Sequence, residues 1–252
     1  MKVIISPAKN MKMTEKNLYM LQKPCMERET EKIWQVLHKL TPWELESVLK
    51  VNENLAVLAF MDYKAYVPFE TAGDENPHRA ALIVYDGLVF KNIDAVSLLP
   101  EDMAFAQQHL RIISGFYGVL KPLDGIMPYR LEMQCKIRID GQNLYQFWGS
   151  RIYDEVCKDK VPVLNLASEE YAKCVRKYLT PWDTMVDVDF LAYKNGKLKT
   201  VTAWAKMARG RMVRYIIKNR IDDLEAVKAF DDLGYQYAPE MSDSRKFVFI
   251  QS

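Results

Sequence analysis

The apolar residues of this sequence come in runs no longer than a β-strand. The richest are residues 80–85 (AALIVY) and 161–167 (VPVLNLA). No stretch approaches the ~18 consecutive apolar residues that a membrane span needs. The core must therefore be assembled from many short elements packed together. At 252 residues the chain buries roughly 70–75% of its extended surface and needs no disulfide or metal staple. No Gly/Ser or Pro-rich linker and no repeat interrupts it. The one polar, breaker-rich segment is 71–79 (TAGDENPHR), read as an exposed loop. One domain spanning 1–252 is expected.

A pass along the chain mixes strand and helix signals irregularly. Residues 3–5 read as a short buried strand, and 30–40 carry a helical stripe of Ile33, Trp34, Leu37 and Leu40. Thr41 and Pro42 then mark a new helix, with Thr as N-cap, Pro at the first position and Glu44 in the first turn. Residues 80–85 read as a strand, 100–114 as a helix and 131–139 as a strand. Asp140–Gly141 signals a hairpin turn into 144–148. A helix carries Tyr153, Val156 and Cys157, a buried strand spans 161–166, and Ser168 caps a helix opening on Glu169 and Glu170. Asn195–Gly196 turns a hairpin between 187–193 and 197–203, and 205–220 is a helix. This order fits a mixed α/β or α+β fold rather than a clean βαβ repeat.

Several chemistries lack their residues. Cys25, Cys135, Cys157 and Cys174 lie far apart with no CxxC, which reads as reduced thiols in or near the core. His38, His78 and His109 sit in no HExxH or triad-like setting. No metal and no cofactor is expected. The first residues hold no signal-peptide pattern, so a cytoplasmic location is expected.

Charge distribution says more than the net charge of +2. Residues 206–220 carry Lys206, Arg209, Arg211, Arg214, Lys218 and Arg220 and no acid. At 100° per residue, Arg211, Arg214 and Lys218 share a flank that reads as solvated. Lys206, Arg209 and Arg220 fall on the apolar arc of Met212, Val213, Ile216 and Ile217. Arg220, at the helix end, can snorkel to solvent. Lys206 and Arg209 open the helix, where the macrodipole disfavours cations, so they point to an anionic partner or a buried carboxylate. In the second dense segment, 109–133, Gly115 and Gly118 bracket Phe116 and Tyr117, with Arg111, Lys121, Tyr129 and Arg130 nearby. Glycine lets backbone approach a phosphate closely, and basic residues with aromatics are the mixture nucleic-acid sites use. The alternative is a glycine-containing turn between helices with aromatics in the core.

Five blocks together carry a resemblance: VIISPAK at 3–9, FAQQHLRIISGFYGVLKPLDGIMPYRLEM at 105–133, LYQFWG at 144–149, NLASEEY at 165–171 and AKMARGRMVRYI at 205–216. In this order they strongly resemble the YaaA peroxide-stress family. The resemblance implies a cytosolic bacterial protein that helps cells survive hydrogen peroxide by limiting free iron. It also implies a single domain of unusual topology with a basic cleft and a helix–hairpin–helix element that binds duplex DNA. On this sequence that element falls on 110–123, although Gly115 and Gly118 are three apart where the usual hairpin has glycines two apart.

Two function classes follow. One is a monomeric, sequence-nonspecific DNA-binding stress protein. It would contact phosphates through Arg111, Gly115, Tyr117, Gly118, Lys121, Lys206, Arg209, Arg211 and Arg214. The other is an enzyme acting on a small anionic or nucleotide-like substrate, with Ser6, Lys9, Tyr129, Arg130, Glu132 and Lys206 as its acid–base constellation. Convergence of Lys9, Arg130, Lys206 and Arg209 on one closed pocket favours the second class; an open groove favours the first.

Overall fold

A computed structural model describes residues 1–14, 19–73 and 76–251. The chain opens on β1 (Lys2–Ile5) and a two-residue β2 (Asn10–Met11), followed by α1 (Glu27–Leu37), α2 (Pro42–Leu49) and α3 (Glu53–Ala65). Next come β3 (Arg79–Ala80), α4 (Ala81–Val84), β4 (Tyr85–Asp86), α5 (Leu88–Ile93) and α6 (Pro100–His109). β5 (Leu110–Ser114), β6 (Gly118–Leu120) and β7 (Gly125–Ile126) precede α7 (Leu144–Trp148), α8 (Arg151–Cys157), β8 (Val163–Asn165) and α9 (Glu169–Arg176). The last part holds β9 (Met185–Lys194), β10 (Lys197–Lys199), α10 (Thr202–Lys218), α11 (Leu224–Val227), β11 (Tyr235–Tyr237) and β12 (Lys246–Gln251).

The main sheet runs in the order β11-β12-β9-β8-β1-β5-β6, with β10 paired to β9. β12, β9, β8, β1 and β5 are mutually parallel. β6, β10 and β11 add antiparallel to it. Every residue of β1, β5 and β8 is buried, as expected where a parallel sheet is covered on both faces. The register sets Ile4 between Arg111 and Asn165. The buried apolar side chains form one contiguous cluster from Met1 to Phe249. No helix among the described residues is long and apolar enough to cross a membrane.

Local chemistry sets several boundaries. Thr41 accepts from the Glu44 N–H and Glu44 bonds back to the Thr41 N–H, a full capping box with Pro42 at the first position of α2. Asn195, at φ 56, and Gly196, at φ 71, turn the β9–β10 hairpin. Residues 74 and 75 of the expected 71–79 loop lie outside the described residues.

Three expectations are corrected. The apolar run 80–85 is one helical turn, α4, between two-residue strands, because the Ala81 and Leu82 N–H groups donate to the Asp124 and Pro122 carbonyls. A short apolar run does not declare its period. The helix expected over 100–114 stops at His109, and Leu110–Ser114 becomes β5, pairing with β1 and β6. Burial between neighbouring strands suits Ile112 and Ile113, whose β-branched side chains pack well there. Residues 131–139 alternate buried and outward-facing as a strand would, yet they join no ladder. The Lys136 N–H donates to the Val48 carbonyl, Ile139 pairs only with Gln142, and 144–148 is helix α7, capped by Asn143.

Candidate functional site: a crevice of mixed charge at the strand carboxyl ends

The crevice follows from the strand order. From β1 the chain eventually joins the sheet at β5 on one side, whereas from β8 it goes on to β9 on the other. Between β1 and β8 the loops part in opposite directions, and a crevice opens outside the carboxyl ends of the strands. Ser6 directly follows β1, and its Oγ accepts the Ser168 N–H at 2.8 Å and lies 3.2 Å from the Ser168 Oγ. The two loops are thus stitched across the opening.

Two glycines bring the remaining walls in. A Cβ on Gly115, just past β5, would lie 2.7 Å from the Leu131 carbonyl oxygen, so glycine lets the 127–133 segment cross here. That segment carries Tyr129, Arg130 and Glu132. The Tyr129 hydroxyl is fixed between the Tyr85 hydroxyl at 2.6 Å and Ser114 Oγ at 2.7 Å. Tyr63 donates to the Arg130 carbonyl. A Cβ on Gly210 would lie 2.2 Å from the Val89 carbonyl oxygen, so glycine lets α10 press onto α5. Lys206 and Arg209, within the first half of α10, then reach the crevice.

The result is a cavity of about 350 Å³. It is lined by Ser6, Lys9, Tyr129, Arg130, Glu132, Lys206 and Arg209, together with Asp86, Ser168 and Glu170 and an apolar wall. All six residues expected to form an acid–base constellation are brought together, and Arg209 joins them. Lys9 pairs with Glu132 at 2.8 Å, and Asp86 with Lys91 at 3.1 Å. Glu170 accepts the Gln134 N–H at 3.2 Å. Burial, with the nearby Glu132 charge, raises its pKa against the pull of the backbone N–H groups. Arg130, Lys206 and Arg209 have no side-chain hydrogen bond or ion pair among the described residues. The Nε atoms of Arg130 and Arg209 are buried without a partner. Burial lowers the Arg209 pKa, opposed only by Asp189, yet an arginine remains charged.

The other expected phosphate contacts do not join this cluster. Residues 110–123 form a strand–turn–strand unit rather than a helix–hairpin–helix, because β5 and β6 pair directly. Arg111 is 3% exposed and donates to the Gln107 and Leu110 carbonyls. Gly115, Tyr117 and Gly118 are buried; Gly118 holds φ +71 against Met26 and Trp148, and the Tyr117 hydroxyl accepts the Met127 N–H. The aromatics are in the core, as the alternative had it, but the turn joins two strands rather than two helices. Lys121 is half-buried beside Asp124, which accepts its N–H. Arg211 pairs with Asp232 at 2.5 Å, and Arg214 donates to the Ile93 carbonyl with Asp94 3.5 Å away.

Sequence reasoning missed Glu170 as a wall residue. The SEEY signal pointed to a helix start, and its acids were assigned to the dipole. It also missed Lys194, Lys197 and Lys199 on the β9–β10 hairpin, which make no ion pair among the described residues.

A family model described as "Peroxide stress protein YaaA" matches residues 1–241. The chain belongs to the YaaA peroxide-stress family. It is 41% identical over 250 residues to a UPF0246 protein of Clostridioides difficile, covering 99% of both chains. It is 38% identical over 250 residues to a UPF0246 protein of Agathobacter rectalis, covering 99% of this chain and 98% of the relative. A third UPF0246 protein, from Desulfitobacterium hafniense, is 38% identical over 253 residues, covering 100% and 98%.

For a member of the YaaA family, the state of the thiols bears on how peroxide is met. Cys25 is exposed, against the expectation of four thiols in or near the core, whereas burial pushes Cys135 up to about 11 and Cys157 and Cys174 up to about 12. The thiolate is the nucleophile toward peroxide, so the three buried sites are poor peroxidatic cysteines. Among the described residues no group of three His, Cys, Asp or Glu is arranged to hold a metal ion.

Proposed function

We propose that this protein contributes to the peroxide-stress response by binding a small anionic ligand in the crevice at the carboxyl ends of β1 and β8. The observation that carries this reading is the pair of arginines, Arg130 and Arg209, whose Nε atoms are buried and unpartnered. A guanidinium N–H buried without a partner is costly, and a carboxylate or phosphate gripped by guanidinium groups is its natural complement. The volume suits a small molecule. Ser6, Glu132 with its Lys9 partner, and Glu170 stand in the same cavity as acid–base groups for chemistry on that ligand. Isothermal titration with inorganic phosphate tests the reading. The parent binds, and the Arg130→Met/Arg209→Met variant does not. Failure of the parent to bind phosphate at low ionic strength sinks the proposal. In cells, the same double variant is expected not to restore peroxide survival to a strain lacking the protein.

One observation favours a second reading, binding of duplex DNA through its phosphates. Lys194 stands directly opposite Lys197, and Lys199 shares their face of the hairpin. Like charges facing each other across a strand pair are destabilising unless an anion neutralises them. This reading moves the phosphate contacts from Arg111, Lys121, Arg211 and Arg214 to the hairpin. It predicts a log affinity against log salt slope near −3 to −5, flattened by about three units when the three lysines become Ala. A salt-independent affinity, or a slope the triple variant leaves intact, excludes it.

A further inference from the structure

The crevice keeps opposite charges apart. Glu170, fixed near the start of α9 and held by the Gln134 N–H, neighbours Glu132 and Lys9. The charge acting on Arg209 is Asp189, and neither glutamate contributes. No ion pair joins Glu170 to Arg130, Lys206 or Arg209, although all four line one cavity. They are carried by separate parts of the fold. Arg209 rides on α10, locked against α5 at Gly210, and Arg130 on the segment that crosses Gly115. Collapse into internal ion pairs is thereby prevented, and the site presents a cationic group and an acceptor group at the same time. The same cavity is lined by Leu88, Phe90, Leu131, Leu166 and Tyr171.

A ligand complementary to this arrangement carries an anion, a flat apolar body and a hydrogen-bond donor. We infer that the crevice takes a nucleoside monophosphate bearing an exocyclic amine, its phosphate against Arg130, Lys206 and Arg209 and its amine donating to Glu170. The inference rests on the small-anion reading and adds to it the body and the donor. The raised pKa of Glu170 agrees with a carboxylate whose lost hydration outweighs the backbone donors it has gained from Gln134 and Met133. Glu132, by contrast, already holds Lys9. A planar ring against leucine and aromatic side chains supplies burial, while the amine decides between otherwise similar rings, because an acceptor left unpaired in a closed site is penalised.

Isothermal titration of the full chain with adenosine monophosphate, inosine monophosphate and inorganic phosphate tests this. The two nucleotides differ at the base by an amine beside an unprotonated N1 against a carbonyl beside an N1–H. The adenine nucleotide is expected to bind about tenfold or more tightly than the hypoxanthine one. In Glu170→Gln, whose amide can face either base, that preference falls to within about twofold. Equal affinity of the parent for the two nucleotides, or phosphate binding without nucleotide binding, overturns the inference and leaves the small-anion reading standing. If the parent binds none of the three, both fall together. The comparison on the parent needs no variant, so instability of Glu170→Gln does not blunt it.

Discussion

Two faces of α10 carry the same kind of side chain in opposite circumstances. On the outer face Arg211 meets Asp232, Arg214 meets the Ile93 carbonyl and Asp94, and Lys218 meets Asp102, which also takes Arg220 just past the helix. On the crevice face Lys206 and Arg209 have no such partner among the described residues. They follow one another along a single helix, Lys206 and Arg209 first and Arg211, Arg214 and Lys218 after them, so composition does not separate the two sets, although helical periodicity does. What separates them is whether the fold delivers an acid. Where it does, the cation is structural; where it withholds one, the cation is left for the proposed anion.

The sharpest way to break this comparison is to remove the acid from the compensated face. Asp102 has a side chain 3% exposed and accepts from Lys218, Arg220 and the Leu99 N–H. Asp102→Ala is expected to cost about 3 kcal/mol in urea unfolding, since one partner of a buried pair is lost, while phosphate binding stays at the parent value. A loss below about 1 kcal/mol means the outer face is not held by this acid. The pH profile gives a second reading of the same site. Burial works to raise the Asp102 pKa, but Lys218, the Leu99 N–H and Arg220 outweigh it and hold the group at about 2. Its folded pKa is depressed relative to about 3.9 unfolded. Its contribution is therefore fully present above about pH 4 and lost as the pH falls toward 2. Asp102→Asn should flatten that acid limb of the stability curve, and a limb as steep as the parent's refutes the assignment.

The crevice face should respond in the opposite sense. Arg130→Met/Arg209→Met is expected to weaken phosphate binding at least about 100-fold, roughly 2.7 kcal/mol, while thermal stability holds or rises because two half-buried cations with unpartnered Nε atoms are removed. A double variant that binds normally but unfolds early would make these arginines structural and erase the contrast. Gly210→Ala acts at a distance from the ligand. Its Cβ meets the Val89 carbonyl, so α10 must back away from α5, at about 2 kcal/mol of stability. Phosphate affinity should fall with it, measured by the same titration; unchanged affinity would show that the α10–α5 approach does not position Arg209. The smallest effect belongs to Asp232→Ala. Arg211 and Asp232 are 40% and 33% exposed, so the pair is screened, and its loss should cost under about 1 kcal/mol with no change in binding.

Legibility followed the range of the interactions. The capping box at Thr41, the Asn195–Gly196 turn and the helix over α10 could be read because each is decided within a few residues. The fault lines fell where distant partners arbitrate. Leu110–Ser114 followed a helix without a break in hydrophobicity, and only pairing with β1 and β6 made it a strand. The alternation over 131–139 was legible, but whether an alternating segment joins a ladder depends on a neighbouring strand edge that no local pattern reveals. In the crevice, Lys206 and Arg209 stood out because they oppose the helix dipole and sit on an apolar arc. Glu170 did not, because an acid in a first helical turn already has a local explanation.

The sequence by itself determined the mixture of short strands and helices, the family, and the cations that local electrostatics leave unexplained. These are properties of residue type and near neighbours. Only the tertiary structure decided which cations are spent on internal acids, that the parting of chain paths at β1 and β8 opens a crevice there, and that Gly115 and Gly210 let two distant segments close it. The physical reason is that burial and charge pairing are set by groups far apart along the chain, whose separation in space is fixed only when the sheet order is.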